Sequence, residues 1–167
     1  MTENPYGKYV AGEDLLITLE RTPARIAGMV RGWPDAAFAR RHAPGKWTAR
    51  QVLTHLAQAE IVFANRLRFA LAEDGYVIQP FDQDVWMETE PALDGRAALE
   101  AYLALRQLNL ALCRRLTPQQ RSRVVTHPER GPVTVEWLMT FFAGHERNHL
   151  PQLETINDQR STINDER

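Results

Sequence analysis

Apolar residues recur along this chain at intervals of three and four, the period of a helix packed on one side. The pattern predicts four long helices and no convincing strand. The first runs from about Glu13 to Arg31, with Leu15, Leu16, Leu19, Ile26 and Val30 on one face. Pro23 falls inside it and should kink or divide it, and Gly32-Trp33-Pro34 ends it. A connection follows, with a short turn at Asp35 to Arg40 and a turn signal at Ala43 to Trp47. Thr48, with Gln51 three residues on, makes a capping box for a second helix from about Ala49 to Ala72. Its stripe is Val52, Leu56, Ala59, Phe63, Arg66 and Leu67.

Glu73 to Asp94 reads as a long crossover holding Gly75, Pro80, Phe81, Trp86 and Pro91, either functional or packed by its own aromatic residues. The third helix spans about Gly95 to Leu116, and its expected face is Tyr102, Leu105, Leu108, Leu112 and Leu116. Thr117 and Gln120 cap a further short turn, and His127 to Pro132 reads as loop. The fourth helix should run from Thr134, its cap, to about Ile156, bent by Pro151 and followed by a frayed polar tail. Four helices of this length pack naturally as an all-α four-helix bundle. The chain reads as a single domain, residues 1–167, with its ordered core at about 13–156.

Composition narrows the function. The 167 residues carry 20 basic and 21 acidic side chains, and no basic block marks a nucleic-acid surface. The cluster Arg114, Arg115, Arg121 and Arg123 reads as a solvated helix end. A lone cysteine, Cys113, excludes an intrachain disulfide framework and a thiolate metal cage, and its leucine neighbours make it a buried inert thiol. No apolar run reaches the ~20 residues of a membrane span, and the N-terminus lacks a signal sequence. A soluble cytoplasmic protein is expected.

Five histidines occur, and three of them fall on predicted core faces: His55 in the second helix, His145 and His149 in the fourth. His42 and His127 sit in predicted loops and read as exposed. His145 and His149 are four apart, so their imidazoles stand one turn apart on the same side of a helix. Burying three imidazoles without partners is costly, and a divalent metal satisfies one nitrogen of each. Three neutral histidines suit zinc, nickel, iron or copper and leave a position open for water or substrate. His145-Glu146-Arg147-Asn148-His149 also fits the zinc-protease pattern HExxH. Its surroundings argue against that reading, because Gln152 and Thr155 stand where the extended form needs glycine and histidine. Glu146 is the candidate catalytic base; an outward, solvated Glu146 is the alternative. Trp47 and the Phe81 to Trp86 segment are candidates for the pocket mouth.

Three motifs together carry a family resemblance: Pro44-Gly45-Lys46-Trp47-Thr48 leading to Val52-Leu53-Thr54-His55-Leu56, Phe81-Asp82-Gln83-Asp84 with Trp86, and Ala143-Gly144-His145-Glu146 through His149-Leu150. In order and spacing the chain resembles the DinB/YfiT-like superfamily of metalloenzymes, from about Asp14 to Ile156. The resemblance implies a bundle running up-down-down-up. It implies a metal, usually nickel or zinc, held by His55, His145 and His149, and a homodimer. Relatives include S-transferases using low-molecular-weight thiols of the bacillithiol or mycothiol type, and hydrolase-like proteins. Gln58 replaces a frequent acidic residue and Asn148 a frequent histidine, without removing a ligand.

Three functions are therefore expected as alternatives. The first is a metal-dependent enzyme that activates water or a thiol against a small molecule. The second is a non-catalytic metal-binding stress-response protein. The third is an interaction module dimerising through outward apolar residues such as Leu103 and Leu110.

Overall fold

The computed structural model describes residues 2–90 and 93–165; Pro91, expected in the crossover, lies outside them. A 3-10 turn, Gly7–Tyr9, precedes α1 (Leu15–Val30), α2 (Asp35–Phe38), α3 (Ala49–Ala72), α4 (Gln83–Thr89), α5 (Gly95–Cys113) and α6 (Pro118–Arg121). Two strands, β1 (Val124–His127) and β2 (Gly131–Thr134), lead into α7 (Val135–Asp165). The caps read from the sequence form: the Thr48 hydroxyl accepts the Gln51 N–H while the Gln51 side chain accepts the Thr48 N–H, and Thr117 and Gln120 do the same. At α1 the Asp14 carboxylate accepts the N–H groups of Leu16 and Ile17. Pro23 does not divide α1, which is one helix from end to end.

The long helices α1, α3, α5 and α7 form a four-helix bundle. Side-chain pairs fix their directions. Glu13 meets Arg147, Arg25 meets Glu154 and Trp33 meets Asn157, so α1 and α7 run parallel. Arg31 meets Glu100 while Glu20 meets Arg114, so α1 and α5 run antiparallel. Leu53 and Leu56 share a core cluster with Leu99, Tyr102, Leu153 and Ile156, whereas Phe63 and Leu67 share one with Cys113, Leu138 and Phe142. Thus α3 is parallel to α5 and antiparallel to α7, and the bundle runs up-down-down-up. The parallel pair α3 and α5 demands a crossover, and the segment after Ala72 provides it.

Several elements depart from the sequence reading. The crossover contains α4, capped by Asp82. The region expected as loop around His127 is a hairpin: β-branched Val125 and Val133 pair across it and are buried, and Gly131 turns at φ +72. His127 is buried, not exposed. The crossover joins this hairpin, since Thr126 N–H donates to the Tyr76 carbonyl and Ile78 N–H to that of Thr126. Helix α7 continues past Ile156 to Asp165. Packed chain also begins before Glu13: Asn4 donates to the Trp137 carbonyl and Trp137 Nε1 to that of Thr2.

The inner face of α5 is rotated from the expected one. Leu108 is 56 % exposed, while Tyr102, Arg106, Asn109, Leu110 and Cys113 face inward. Leu110, expected on the outer surface, is therefore core. Leucine is so frequent in α5 that apolar periodicity does not single out a face, and polar Arg106 and Asn109 disguise the true one. They turn inward because Glu60 of α3 needs them. Arg106 Nη2 donates to Glu60 Oε1 at 2.6 Å and Asn109 Nδ2 to Glu60 Oε2 at 2.9 Å. This polar layer separates the two apolar clusters of the core.

Candidate metal centre

Helices α3 and α7 run antiparallel side by side, which brings His55 against the turn of α7 that carries His145 and His149. All three side chains are buried. His145 Nε2 lies 3.0 Å from His55 Nε2 and 3.2 Å from His149 Nε2. The three ring nitrogens fall within 4.8 Å of one another, the spacing of ligands around one ion.

Hydrogen bonding alone does not satisfy this cluster. A neutral imidazole nitrogen presents either one N–H or one lone pair in the ring plane. His145 Nε2 faces two other ring nitrogens and can bond well to one. Protonation is no remedy. Burial, reinforced by the neighbouring His149, pushes His55 down to about 3. Burial also holds His145 well below the ordinary histidine value and lowers His149. Three neutral imidazoles with convergent lone pairs fit a divalent cation. The donor set is all nitrogen, which suits a transition metal better than calcium or magnesium.

A ring of aromatic residues holds the imidazoles in place. The Trp47 ring lies 4.9 Å from that of His55 and is stacked 6.4 Å from that of His149. Phe81 stacks on His55 at 6.1 Å and Phe141 on His145 at 6.4 Å. Trp47 and Phe81 thus stand where the sequence suggested. Gln152 Oε1 sits 3.2 Å from His149 Nδ1, where it accepts that N–H and leaves Nε2 its lone pair. Tyr6 places its ring edge-on to His145 at 5.3 Å. This approach requires Gly144, because a Cβ there would come within 2.2 Å of the Tyr6 carbonyl oxygen.

Two cavities reach the triad. One of about 310 Å³ is bounded by His145, Phe81, Phe141, Tyr6 and Ala59, and extends to Arg66 and His127. The other, about 260 Å³, is bounded by His149, Gln152, Trp47, His42 and Lys46. His42, expected at the surface, is half-buried beside this second opening.

Glu146 lines neither cavity. It is buried, not solvated, and its Oε2 accepts a hydrogen bond from Arg106 Nη1 at 3.2 Å. It lies about 100° around α7 from His145, a rotation that carries it into the polar layer of the core.

The sequence pattern of the DinB superfamily matches residues 18–153. The chain belongs to the DinB superfamily. Within it, the chain is 27% identical over 164 residues to the "Putative metal-dependent hydrolase YfiT" of Bacillus subtilis, covering 92% of each chain. It is 32% identical over 113 residues to a "Putative metal-dependent hydrolase" of Oceanobacillus iheyensis, covering 67% of this chain and 66% of that one. Among solved structures, YfiT from Bacillus subtilis superposes with a TM-score of 0.79 at 25% identity, covering 96% of this chain and 90% of that one. That protein is described as a "probable metal-dependent hydrolase with an unusual four-helix bundle topology". A mycothiol-dependent maleylpyruvate isomerase shares the fold, with a TM-score of 0.68 at 15% identity over 83% of this chain and 59% of that one.

Sequence reasoning about this DinB-superfamily chain missed Tyr6, Gln152 and Phe141 as site residues. The spacing of His149 and Gln152, one helical turn, was a usable signal for the second. Nothing in the sequence places Tyr6 beside His145.

Proposed function

We propose that this protein is a metal-dependent enzyme acting on a small molecule, with His55, His145 and His149 holding a divalent ion, zinc or nickel. The observation that carries this reading is the convergence of three neutral, buried Nε2 atoms that have no adequate hydrogen-bonding solution among themselves. Bound there, a divalent ion supplies Lewis acidity, which makes hydroxide or thiolate available near neutral pH.

The protein's own residues do the rest. Gln152 fixes the His149 tautomer and turns its lone pair inward. Trp47 and Phe81 lock the His55 ring and wall the centre from bulk water. Hydrolysis, here of an acyl or amide bond, is the first reading, and similar proteins are named as metal-dependent hydrolases without a stated bond. S-transfer from a low-molecular-weight thiol is the second reading, and the two separate cavities favour it, since a thiol and an electrophile need separate approaches. Glu146 is assigned to the buried polar layer around Arg106, not to proton transfer.

Elemental analysis of the purified, untagged protein and of His55→Ala tests the centre. Near one metal per chain in the first and none in the second is expected, after which amides, esters, thiols and electrophiles are screened. Absence of metal from both after incubation with zinc or nickel ends the metalloenzyme reading. A fold that collapses on chelation, with no turnover in the screen, favours a structural metal.

A further inference from the structure

Arg66 is a charged residue on the apolar stripe of α3. It follows His55 by eleven residues, three turns further on and within about 20° of the same line. Ala59 lies between them, and its small side chain leaves the space over that line open. Side chains on a helix lean toward its N-terminus, so the guanidinium leans toward His55.

No carboxylate lies within ion-pair distance of Arg66 among the described residues, although the charge of exposed Glu129 reaches it. The residue is 6 % exposed. Its Nη2 donates to the Gln79 carbonyl at 2.9 Å, and the Phe142 ring lies 5.9 Å from the guanidinium. The buried Nε–H finds no acceptor, and Arg66 forms no ion pair among the described residues. Arg106 shows the contrast: it is just as deeply buried and has an acidic side chain, Glu60 or Glu146, on either side. A buried cation without an ion-pair partner is costly, and a bound anion would lower that cost. Arg66 and His145 border the same 310 Å³ cavity. Glu129 is the carboxylate at that cavity; it is exposed and makes no ion pair with Arg66.

We propose that Arg66 recognises an oxyanion of the substrate, a carboxylate or a phosphate, and that the substrate is a small anionic molecule lying along this cavity with its reacting end toward the histidines. The assignment rests on the triad as the reacting centre. The cavity is at the small end for ligand sites, which suits a short-chain metabolite. The guanidinium fork fixes the orientation of a planar carboxylate, so Arg66 sets which atom of the substrate reaches the histidines.

Calorimetric titration with linear monocarboxylates, their matched primary amides and inorganic phosphate tests this, on protein of measured metal content. The wild-type chain is expected to bind an oxyanion roughly tenfold or more tighter than the neutral amide. Arg66→Met is expected to erase that preference, and Arg66→Lys to keep part of it. Preference for the carboxylate over phosphate, or the reverse, identifies the group. Glu129→Gln, at an exposed position that leaves the fold intact, is expected to strengthen oxyanion binding by removing a repelling charge. His149→Ala is expected to lose metal and keep the oxyanion preference, which separates failure of the metal centre from failure of this assignment. The proposal is overturned if the wild type shows no oxyanion preference. It is overturned equally if the preference survives Arg66→Met, disappears in His149→Ala, or is unmoved by Glu129→Gln.

Discussion

Glu146 follows His145 of the histidine cluster in the chain, yet its side chain accepts a hydrogen bond from Arg106 at 3.2 Å inside the core. Arg106 serves two carboxylates, and its stronger contact is with Glu60. Burial and the nearby Glu60 charge hold the Glu146 carboxyl well above the usual carboxylate range. A carboxyl shifted in this direction favours its neutral form, which glutamine mimics. Glu146→Gln is therefore expected to change unfolding free energy by no more than about 1 kcal/mol near neutral pH. Arg106→Met strands the Glu60 carboxylate and is expected to cost about 3–5 kcal/mol. Urea unfolding of the two variants checks both. A large loss in Glu146→Gln would show that its ionised form holds the core together.

Among the described residues Gln152 hydrogen-bonds to His149 and to no other member of the triad. Replacing it with leucine removes the acceptor that orients the ring and leaves the three nitrogen donors in place. Zinc affinity, measured by chelator competition, is expected to fall by about 10- to 100-fold while helical content is kept. Unchanged affinity would mean that aromatic packing alone orients His149.

The pH dependence of the metal-free protein has a definite sign. The folded chain keeps His55 neutral down to about 3, whereas the unfolded chain takes up its proton near 6.5. Below 6.5 the unfolded state binds more protons. The stability linked to His55 is thus complete above 6.5 and is lost as pH falls toward about 3, at about 1.4 kcal/mol per pH unit. His145 adds to this slope. Glu146 opposes it, since a raised carboxyl contributes below its unfolded value of 4.5 and loses that contribution as pH rises. Urea midpoints of the chelated protein between about pH 7 and pH 5 should fall less steeply in His55→Gln than in the wild type. Parallel curves would contradict the burial of a neutral His55.

Gly144→Ala is a probe of the N-terminal segment. The new methyl meets the Tyr6 carbonyl oxygen, a backbone atom, at 2.2 Å, so residues around Tyr6 must move off α7. A loss of about 1–3 kcal/mol is expected, with faster proteolysis before Leu15 and weaker packing over His145. Wild-type resistance to proteolysis in that variant would show that the segment adjusts without leaving.

Cys113 is 0 % exposed, and burial pushes its thiol up to about 12. Thiol reagents are expected to leave it unmodified in the native protein and to label it fully in denaturant. Labelling by mass spectrometry without denaturant would reveal opening of the α5 core.

The bundle was legible because its helix caps and leucine periods are local. Thr48 and Gln51 mark the start of α3, and Thr117 and Gln120 that of α6, without help from distant residues. The triad was legible for the same reason: three histidines on apolar stripes stand out against their neighbours. Failures came where distant partners decide. Arg106 faces inward because of Glu60, forty-six residues away, and no window around α5 contains that fact. Val125 and Val133 form strands because the hairpin packs on the bundle and joins Tyr76 of the crossover, whereas each run alone is too short to show a period of two. Glu146 was legible only as one of two alternatives, a base or an outward solvated residue, and the offset of about 100° from His145 instead sets it in the polar layer of the core, beside Arg106.

The parallel pairing of α1 with α7 has a consequence for how the protein comes into being. The first bundle helix waits for the last, across 134 residues at the Glu13 to Arg147 contact. During synthesis α1, α3 and α5 leave the ribosome with an unfilled seat between α1 and α3, and His55 then lacks both of the histidines it meets in the fold. The three-histidine cluster therefore comes into existence only with the docking of α7, so that its assembly coincides with the completion of the bundle.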